Sequence, residues 1–181
     1  MLKKLSIVTL FSIPFLVNAN SWPSSTCLNN SNWLEFSQMN MCLDKKQITS
    51  IKVINSELPS MSIVYRGKDY TFLKQTPYNV NGDLHKKYNL SLPEYFSSLV
   101  KNESDLELSI PYKVHELKSP SEIVEYNRQG WHVYTLVSNT RSFDEIFIIH
   151  SSNEEYIYHV GGEFTTQEAT DLISKLNLPE I

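Results

Sequence analysis

The chain has 181 residues and a formal net charge of −4, with 20 Asp and Glu against 16 Lys and Arg. An acidic surface repels phosphate backbones and anionic lipid headgroups unless a local basic patch offsets the repulsion. The densest basic clusters are only DKK at 44–46 and HKK at 85–87. We therefore expect no nucleic-acid partner.

The first segment of the chain is typical of a secretory signal peptide. Lys3 and Lys4 precede an apolar run over 5–17, and Val17 and Ala19 occupy the two positions that a signal peptidase reads. The run of about 13 residues is shorter than the roughly 20 that span a bilayer. We predict cleavage after Ala19, no stable membrane insertion of the mature chain, and a periplasmic or secreted location. Cleavage removes two lysines and no acid, which leaves a net charge of about −6.

Cys27 and Cys42 are the only two cysteines of the chain. An even count in an exported protein indicates a disulfide bond. Closing a loop of about 15 residues is worth roughly 3 kcal/mol in the chain-entropy description. A redox-active pair usually has the much shorter C-x-x-C spacing. We therefore predict a structural Cys27–Cys42 disulfide.

Three tetrapeptides predict helix starts. They are SLPE at 91–94, SPSE at 119–122 and TTQE at 165–168, and each places a hydroxyl three residues before a glutamate, as in a capping box. Apolar residues follow each motif at helical spacing. We therefore predict three amphipathic helices, with Gly130 ending the second.

Seven segments rich in β-branched and aromatic residues predict strands. RGKD at 66–69 is typical of a hairpin turn, and Pro111 should bend one segment or place it at a sheet edge. The predicted strands are 47–54, 61–65, 69–73, 106–117, 131–138, 143–150 and 155–160.

The last three of these segments are joined by loops of about four residues, NTRS and SSNE. Such loops are too short for parallel crossovers, so the segments should form an antiparallel meander. The prediction is one α+β domain over 20–181, with a disulfide-closed N-terminal segment. Its sheet is mainly antiparallel, includes this C-terminal three-strand meander, and is flanked by about three helices on both faces.

Successive residues of a strand point to opposite faces, so the odd and even positions of the meander belong to two faces, and neither face is polar. Since a solvent-exposed face would be polar, both faces must be covered by helices, or one must be covered by a partner. Tyr and Trp concentrate in binding hot spots. We predict that the face of the even positions is partly open and binds another protein through His132, Tyr134, Tyr156 and Tyr158, with Trp131 beside them.

His150 and His159 flank a pair of glutamates in the last two segments. A chain reversal near 140–141 places His150 opposite Trp131, and a second one near 152–153 places it opposite Glu155. His159 then lies opposite Ile146, roughly 13 Å from His150 along the strand. Zinc ligands lie within about 2.2 Å of the metal. We therefore predict no metal site and no cofactor.

No catalytic motif is present, since the chain has neither the serine elbow G-x-S-x-G nor the zinc-binding H-E-x-x-H. The hypothesis we favour is an exported, non-enzymatic protein-binding module with no catalytic residues. An inhibitor or immunity protein that neutralises a toxin or an envelope-acting enzyme would be one form of it. The alternative is an envelope hydrolase that uses the dispersed residues His132, His150 and Glu155.

Overall fold

A computed structural model gives the fold and describes residues 20–25, 27, 33–101, 109–138 and 143–179. The predicted signal peptide, residues 1–19, and the predicted NTRS loop at 139–142 lie outside the described residues. Within the described ranges, no helix is long and apolar enough to cross a membrane.

The described residues form eleven strands and five α-helices. The strands are β1 (Asn20–Ser21), β2 (Trp33–Phe36), β3 (Met39–Cys42), β4 (Ile48–Ile54), β5 (Ser60–Tyr65), β6 (Lys68–Gln75), β7 (Ile123–Arg128), β8 (Trp131–Leu136), β9 (Asp144–His150), β10 (Asn153–Gly162) and β11 (Leu176–Asn177). The helices are α1 (Pro77–Asn81), α2 (Leu84–Lys87), α3 (Leu92–Lys101), α4 (Ser109–Val114) and α5 (Thr166–Ser174).

The strands form two sheets. The larger has eight strands in the order β1-β7-β8-β9-β10-β6-β5-β4, and the smaller has the order β11-β3-β2. All neighbouring pairs are antiparallel except β1 with β7. The α+β class and the mainly antiparallel sheet are confirmed. The sheet is nevertheless larger than the predicted three-strand meander, because β7 joins one side of it and β6 the other.

The predicted assignment of side chains to the two faces of the meander is wrong. Residues that pair directly across a sheet share a face, and the β8–β9 register pairs even positions with odd ones, such as Tyr134 with Phe147. The β9–β10 register pairs Tyr158 with Ile148. Tyr134 and Tyr158 therefore lie on opposite faces.

Each face of the large sheet packs against its own layer. We call the two faces the α3 face and the α5 face. On the α3 face, Tyr134, Leu136, Phe147, Ile149 and Ile157 pack against Leu92, Tyr95, Phe96 and Leu99 of α3. On the α5 face, Val133, Ile146, Ile148, Tyr158 and Val160 pack in one core with Ala169, Leu172 and Ile173 of α5 and with Phe36, Met39 and Met41 of the small sheet.

Two of the three predicted helices form, and their capping boxes are made. In α3, the Glu94 backbone N–H donates to Ser91 Oγ at 3.3 Å and the Ser91 N–H donates to Glu94 Oε2 at 2.8 Å. The first turn of α5 repeats this arrangement between Thr165 and Glu168.

The predicted helix after SPSE is wrong. Pro120–Glu122 make a single 3₁₀ turn, and β7 begins at Ile123. The alternation of Ile123 on the α3 face with Val124 and Tyr126 on the α5 face gives both sides of a strand apolar cover. Gly130 accordingly lies in the β7–β8 hairpin turn, with φ of +80°.

The predicted strand 106–117 is also wrong where it is described. Ser109–Val114 form helix α4, with Pro111 in the first turn, where its missing N–H leaves no hydrogen bond unmade. The Tyr112 hydroxyl donates to the Leu99 carbonyl at 2.9 Å and thereby ties α4 to α3.

Cys27 and Cys42 form the predicted disulfide, which ties the N-terminal segment to the end of β3. A disulfide is compatible with an extracellular location, where oxidising conditions preserve it. The predicted hairpin turn at 66–69 is present as well, because Tyr65 pairs with Lys68 across Arg66 and Gly67. Both turn residues have positive φ, as the favoured two-residue hairpin turns require.

Candidate functional site

The pairing of the histidines follows the prediction in β9 and departs from it in β10. His150 lies opposite Trp131, as predicted. It pairs with Asn153 instead of Glu155, because the turn contains only two residues, and a register shift between Asn153 and Tyr158 then places His159 opposite Phe147 instead of Ile146. The bulge could not be located from alternation alone.

The structure divides the five predicted partner-binding residues between the two faces. Trp131, Tyr156 and Tyr158 line one pocket next to the α5 face. Tyr134 is fully buried under α3, and His132 lies beside Glu125 on the α3 face. The expectation of one partly open face is therefore wrong, since Trp131, Tyr134 and Tyr158 are all buried. That these residues bind a partner stays a prediction, with Tyr156 the most accessible of the four aromatic ones.

The pocket, which we call the Trp131 pocket, has a volume of about 240 Å³. Its walls are three aromatic residues, Trp131, Tyr156 and Tyr158, and four polar ones, Gln38, Lys74, His150 and Asn153. The Trp131 and His150 rings meet edge to face with centroids 4.8 Å apart. The indole N–H of Trp131 donates to the Pro179 carbonyl at 2.9 Å. The wall formed by these two rings is therefore fixed.

A second polar group lies on the α3 face around the buried carboxylate of Glu125. Ser97 Oγ donates to Glu125 Oε1 at 3.0 Å, and the Tyr134 hydroxyl lies 3.2 Å from the same oxygen. His132 Nδ1 lies 3.5 Å from that oxygen. The pKa of Glu125 is below its ordinary value: burial raises it, but the nearby His132 imidazole and the hydrogen bonds from Ser97 and Tyr134 together lower it by more.

This arrangement is a hydrogen-bonded buried carboxylate rather than a nucleophile with its base. The hydroxyl of Ser97 bonds to Glu125 and to the Tyr134 hydroxyl, and neither of these contacts is to an imidazole. Burial and the Glu125 charge also raise the pKa of Tyr134, so that its hydroxyl stays protonated and donates. The group thus stabilises the junction of α3 with β7 and β8.

The residues of the hydrolase hypothesis do not come together. His132 and His150 lie on opposite faces of the sheet, because His150 shares a face with Trp131 and His132 is the next residue along β8. Glu155 is exposed in the irregular part of β10. Across the described residues, no group of three or more His, Cys, Asp or Glu could hold a metal ion.

Three exposed apolar side chains lie together on strand β4, which sequence reasoning did not single out as a site. β4 is an edge strand of the large sheet. Among the described residues it pairs over its length with β5 alone. Ile51, Val53 and Ile54 are exposed by 50%, 62% and 49%. The opposite end of the sheet is covered by the short strand β1. The two edges of the sheet are thus protected to different degrees.

A groove of about 310 Å³ runs beside this edge, between β4 and β2. We call it the edge groove. Its apolar lining comes from Trp33 and Leu34 of β2, Leu43, and Ile48 and Ile51 of β4. Trp33 is half exposed. Exposed apolar surface that borders a groove and a sheet edge is characteristic of protein-binding sites.

A signal for β4 was present in the sequence. In QITSIKVI the apolar residues 51, 53 and 54 fall on both sides of the strand, a pattern that a buried central strand and an exposed edge strand share. Only the position of β4 in the sheet separates the two cases.

Comparisons with known proteins assign no family. Neither a protein-family model, nor a curated protein, nor a solved structure matches the chain significantly. Among the described residues, the edge groove, the β4 edge and the Trp131 pocket are the features that bear on function.

Proposed function

We propose that the protein is an exported protein-binding module that accepts an extended segment of another protein along strand β4. The observation that carries the proposal is the open edge of β4 with Ile51, Val53 and Ile54 exposed along it. An unpaired strand edge presents a row of backbone N–H and C=O groups, and an added strand satisfies them regularly. The edge groove would receive apolar side chains of that segment.

Charges around the edge indicate the chemistry of the partner segment. Lys45, Lys46 and Lys52 are exposed in or just before β4, and none has an ion-pair partner among the described residues. Asp44, their neighbour in sequence, accepts a hydrogen bond from the Lys46 backbone N–H. Over residues 44–57 these three exposed lysines outnumber the two exposed acids, Asp44 and Glu57, so the edge carries a small excess of positive charge in a chain with an excess of acids. We therefore infer a partner segment that combines apolar residues with acidic ones.

A second copy of the same chain fits this edge less well. Antiparallel pairing of two β4 strands about Ile51 would place each Lys52 opposite Ser50 of the other copy, with both lysines on the same face. The two like charges would then lie within about 8 Å of each other, and neighbouring like charges on a sheet are destabilising. A different protein with acidic residues opposite Lys52 would avoid this repulsion. A toxin or an envelope-acting enzyme is one such partner.

The proposal is tested by site-specific photo-crosslinking of the tagged full chain in its source cells. A photoreactive residue replaces Val53 in one variant and Val114, an exposed valine of α4, in the control. We expect one partner protein to crosslink from position 53 and not from 114, through a peptide that contains acidic and apolar residues. Equal crosslinking from both positions, or crosslinks only between copies of the chain, would contradict the proposal.

The crosslinked partner, once purified, allows a direct test of strand addition. Val53→Glu should weaken binding by about 10-fold or more, because it places an acid against an acidic segment and removes an apolar contact. Val114→Glu should leave binding unchanged. Hydrogen exchange should also slow in β4 when the partner binds. A complex that forms with no added protection in β4 would show that the partner does not pair with this strand.

A further inference from the structure

We propose that the Trp131 pocket binds a small ligand through an oxyanion, either a carboxylate or a phosphate group. The pocket lies at one end of β6, β8, β9 and β10, away from the β4 edge, and the proposal does not depend on the proposed function. Its basis is the polarity of the lining, in which hydrogen-bond donors remain without acceptors and no Asp or Glu takes part.

The charged member of the lining is Lys74. Its ammonium group lies 4.1 Å from the centroid of the Tyr156 ring, a cation–π arrangement that fixes the side chain at the pocket. Lys74 is half-buried, and no carboxylate pairs with it among the described residues. A partly desolvated cation without a counterion attracts an anion more strongly than a fully hydrated lysine does.

The two amide side chains of the lining already use their carbonyl oxygens. Gln38 Oε1 accepts from the Tyr158 hydroxyl at 2.9 Å, and Asn153 Oδ1 accepts from the Glu155 backbone N–H at 3.3 Å. These contacts leave both NH₂ groups as donors, and neither has an acceptor among the described residues. Oxygen acceptors in a ligand would satisfy them.

His150 contributes a further hydrogen-bond donor that lacks an acceptor. Its Nδ1 accepts from the Ser152 backbone N–H at 3.2 Å, so the neutral ring carries its proton on Nε2. A Cβ on Gly130 would lie 2.9 Å from this Nε2, so any other residue at that position would crowd the donor. Nε2 has no hydrogen-bond partner in the described part of the chain.

Together, these groups offer a cation, two amide NH₂ groups and an imidazole N–H around a volume of about 240 Å³. A ligand cation would find no carboxylate in this lining, and an uncharged apolar ligand would leave the donors unsatisfied. An oxyanion supplies both a negative charge for Lys74 and acceptor oxygens for the unsatisfied donors.

The test is a nitrogen-15 NMR titration of the mature protein with inorganic phosphate and, separately, with acetate, against chloride at equal ionic strength. The indole N–H signal of Trp131 reports on the pocket, and that of Trp33 in the edge groove is the internal control. Lys74→Met removes the charge and retains the aliphatic chain. Lys87→Met is the matched variant, because Lys87 also lies over a tyrosine ring, at 5.7 Å, but outside the pocket.

We expect saturable shifts of the Trp131 signal with at least one of the two anions, and the anion that binds more tightly identifies the preferred group as phosphate or carboxylate. Lys74→Met should weaken this binding by about 10-fold or more, since it removes a charged hydrogen bond. Lys87→Met should bind as the wild type does. The proposal would be overturned by the absence of a saturable response to either anion, or by equal losses in the two variants.

Discussion

The hydroxyl of Tyr134 provides a direct test of how the sheet is covered. The side chain is fully buried, and its hydroxyl lies 2.9 Å from the Pro93 carbonyl and 3.2 Å from Glu125 Oε1. Tyr134→Phe removes the donor and leaves a buried carbonyl or a buried carboxylate short of a hydrogen bond. A hydrogen bond to a charged group is worth about 1.5–3 kcal/mol. We expect the free energy of unfolding to fall by about that amount.

The measurement is urea denaturation of the protein, in which the midpoint should shift and the slope should stay constant. For a chain of this size, the same loss lowers the melting temperature by roughly 3–12 °C. Tyr156→Phe is the matched control, because the Tyr156 ring is half-buried and its hydroxyl has no hydrogen-bond partner among the described residues. It should change stability by less than about 0.5 kcal/mol. A loss that small in Tyr134→Phe would refute the burial of its hydroxyl under α3.

Two further predictions concern Glu125 and the hairpin glycines. Because folding lowers the pKa of Glu125 below its ordinary value of 4.5, its ionised form stabilises the fold above that pH, and this stabilisation is lost as the pH falls. Glu125→Gln should therefore be less stable than the wild type at pH 7, and urea denaturation should show the gap narrowing below about pH 4.5. Gly130→Ala should destabilise more than Gly67→Ala in the same assay, although both have positive φ, because only at Gly130 would the new Cβ meet a side chain, His150.

The controls for these predictions come from the same measurements. A gap between Glu125→Gln and the wild type that stays constant from pH 7 to pH 3.5 would show that the carboxylate is not preferentially ionised in the folded state. Gly67→Ala reports the backbone strain alone, which is about 1–2 kcal/mol for a left-handed residue with a Cβ. Equal losses at Gly67 and Gly130 would contradict the close approach of His150.

Local sequence determined the elements whose signals are short-range. The capping boxes at 91–94 and 165–168 begin helices α3 and α5, and the Arg66-Gly67 turn joins β5 to β6. These features are set by hydrogen bonds and φ values within a few residues, so the sequence suffices for them. The disulfide followed from the count of two cysteines.

The same type of signal was misleading at 119–122, where tertiary packing decided the outcome. The capping motif SPSE is present in the sequence, but Ser119 makes no capping hydrogen bond in the structure. Ile123, Val124 and Tyr126 gain more by filling both faces of the sheet as β7 than by forming one face of a helix. Whether this segment forms a helix or a strand depends on pairing with β8 and on apolar layers on both sides of the sheet, neither of which can be predicted from the local sequence.

The sequence by itself thus determined the α+β class, most strands of the sheet, two helices and the disulfide. The grouping of residues into sites was decided only by the tertiary structure. Alternation predicted that Tyr134 and Tyr158 share a face. The β8–β9 register is the predicted one, but the register shift in β10 pairs Tyr158 with Ile148 and so places it on the opposite side of the sheet from Tyr134. Register depends on turn length and bulges, and a change of one residue moves every side chain of a strand to the other face. For the same reason, the open edge at β4 and the acid-free lining of the Trp131 pocket became visible only once strand order and register were known.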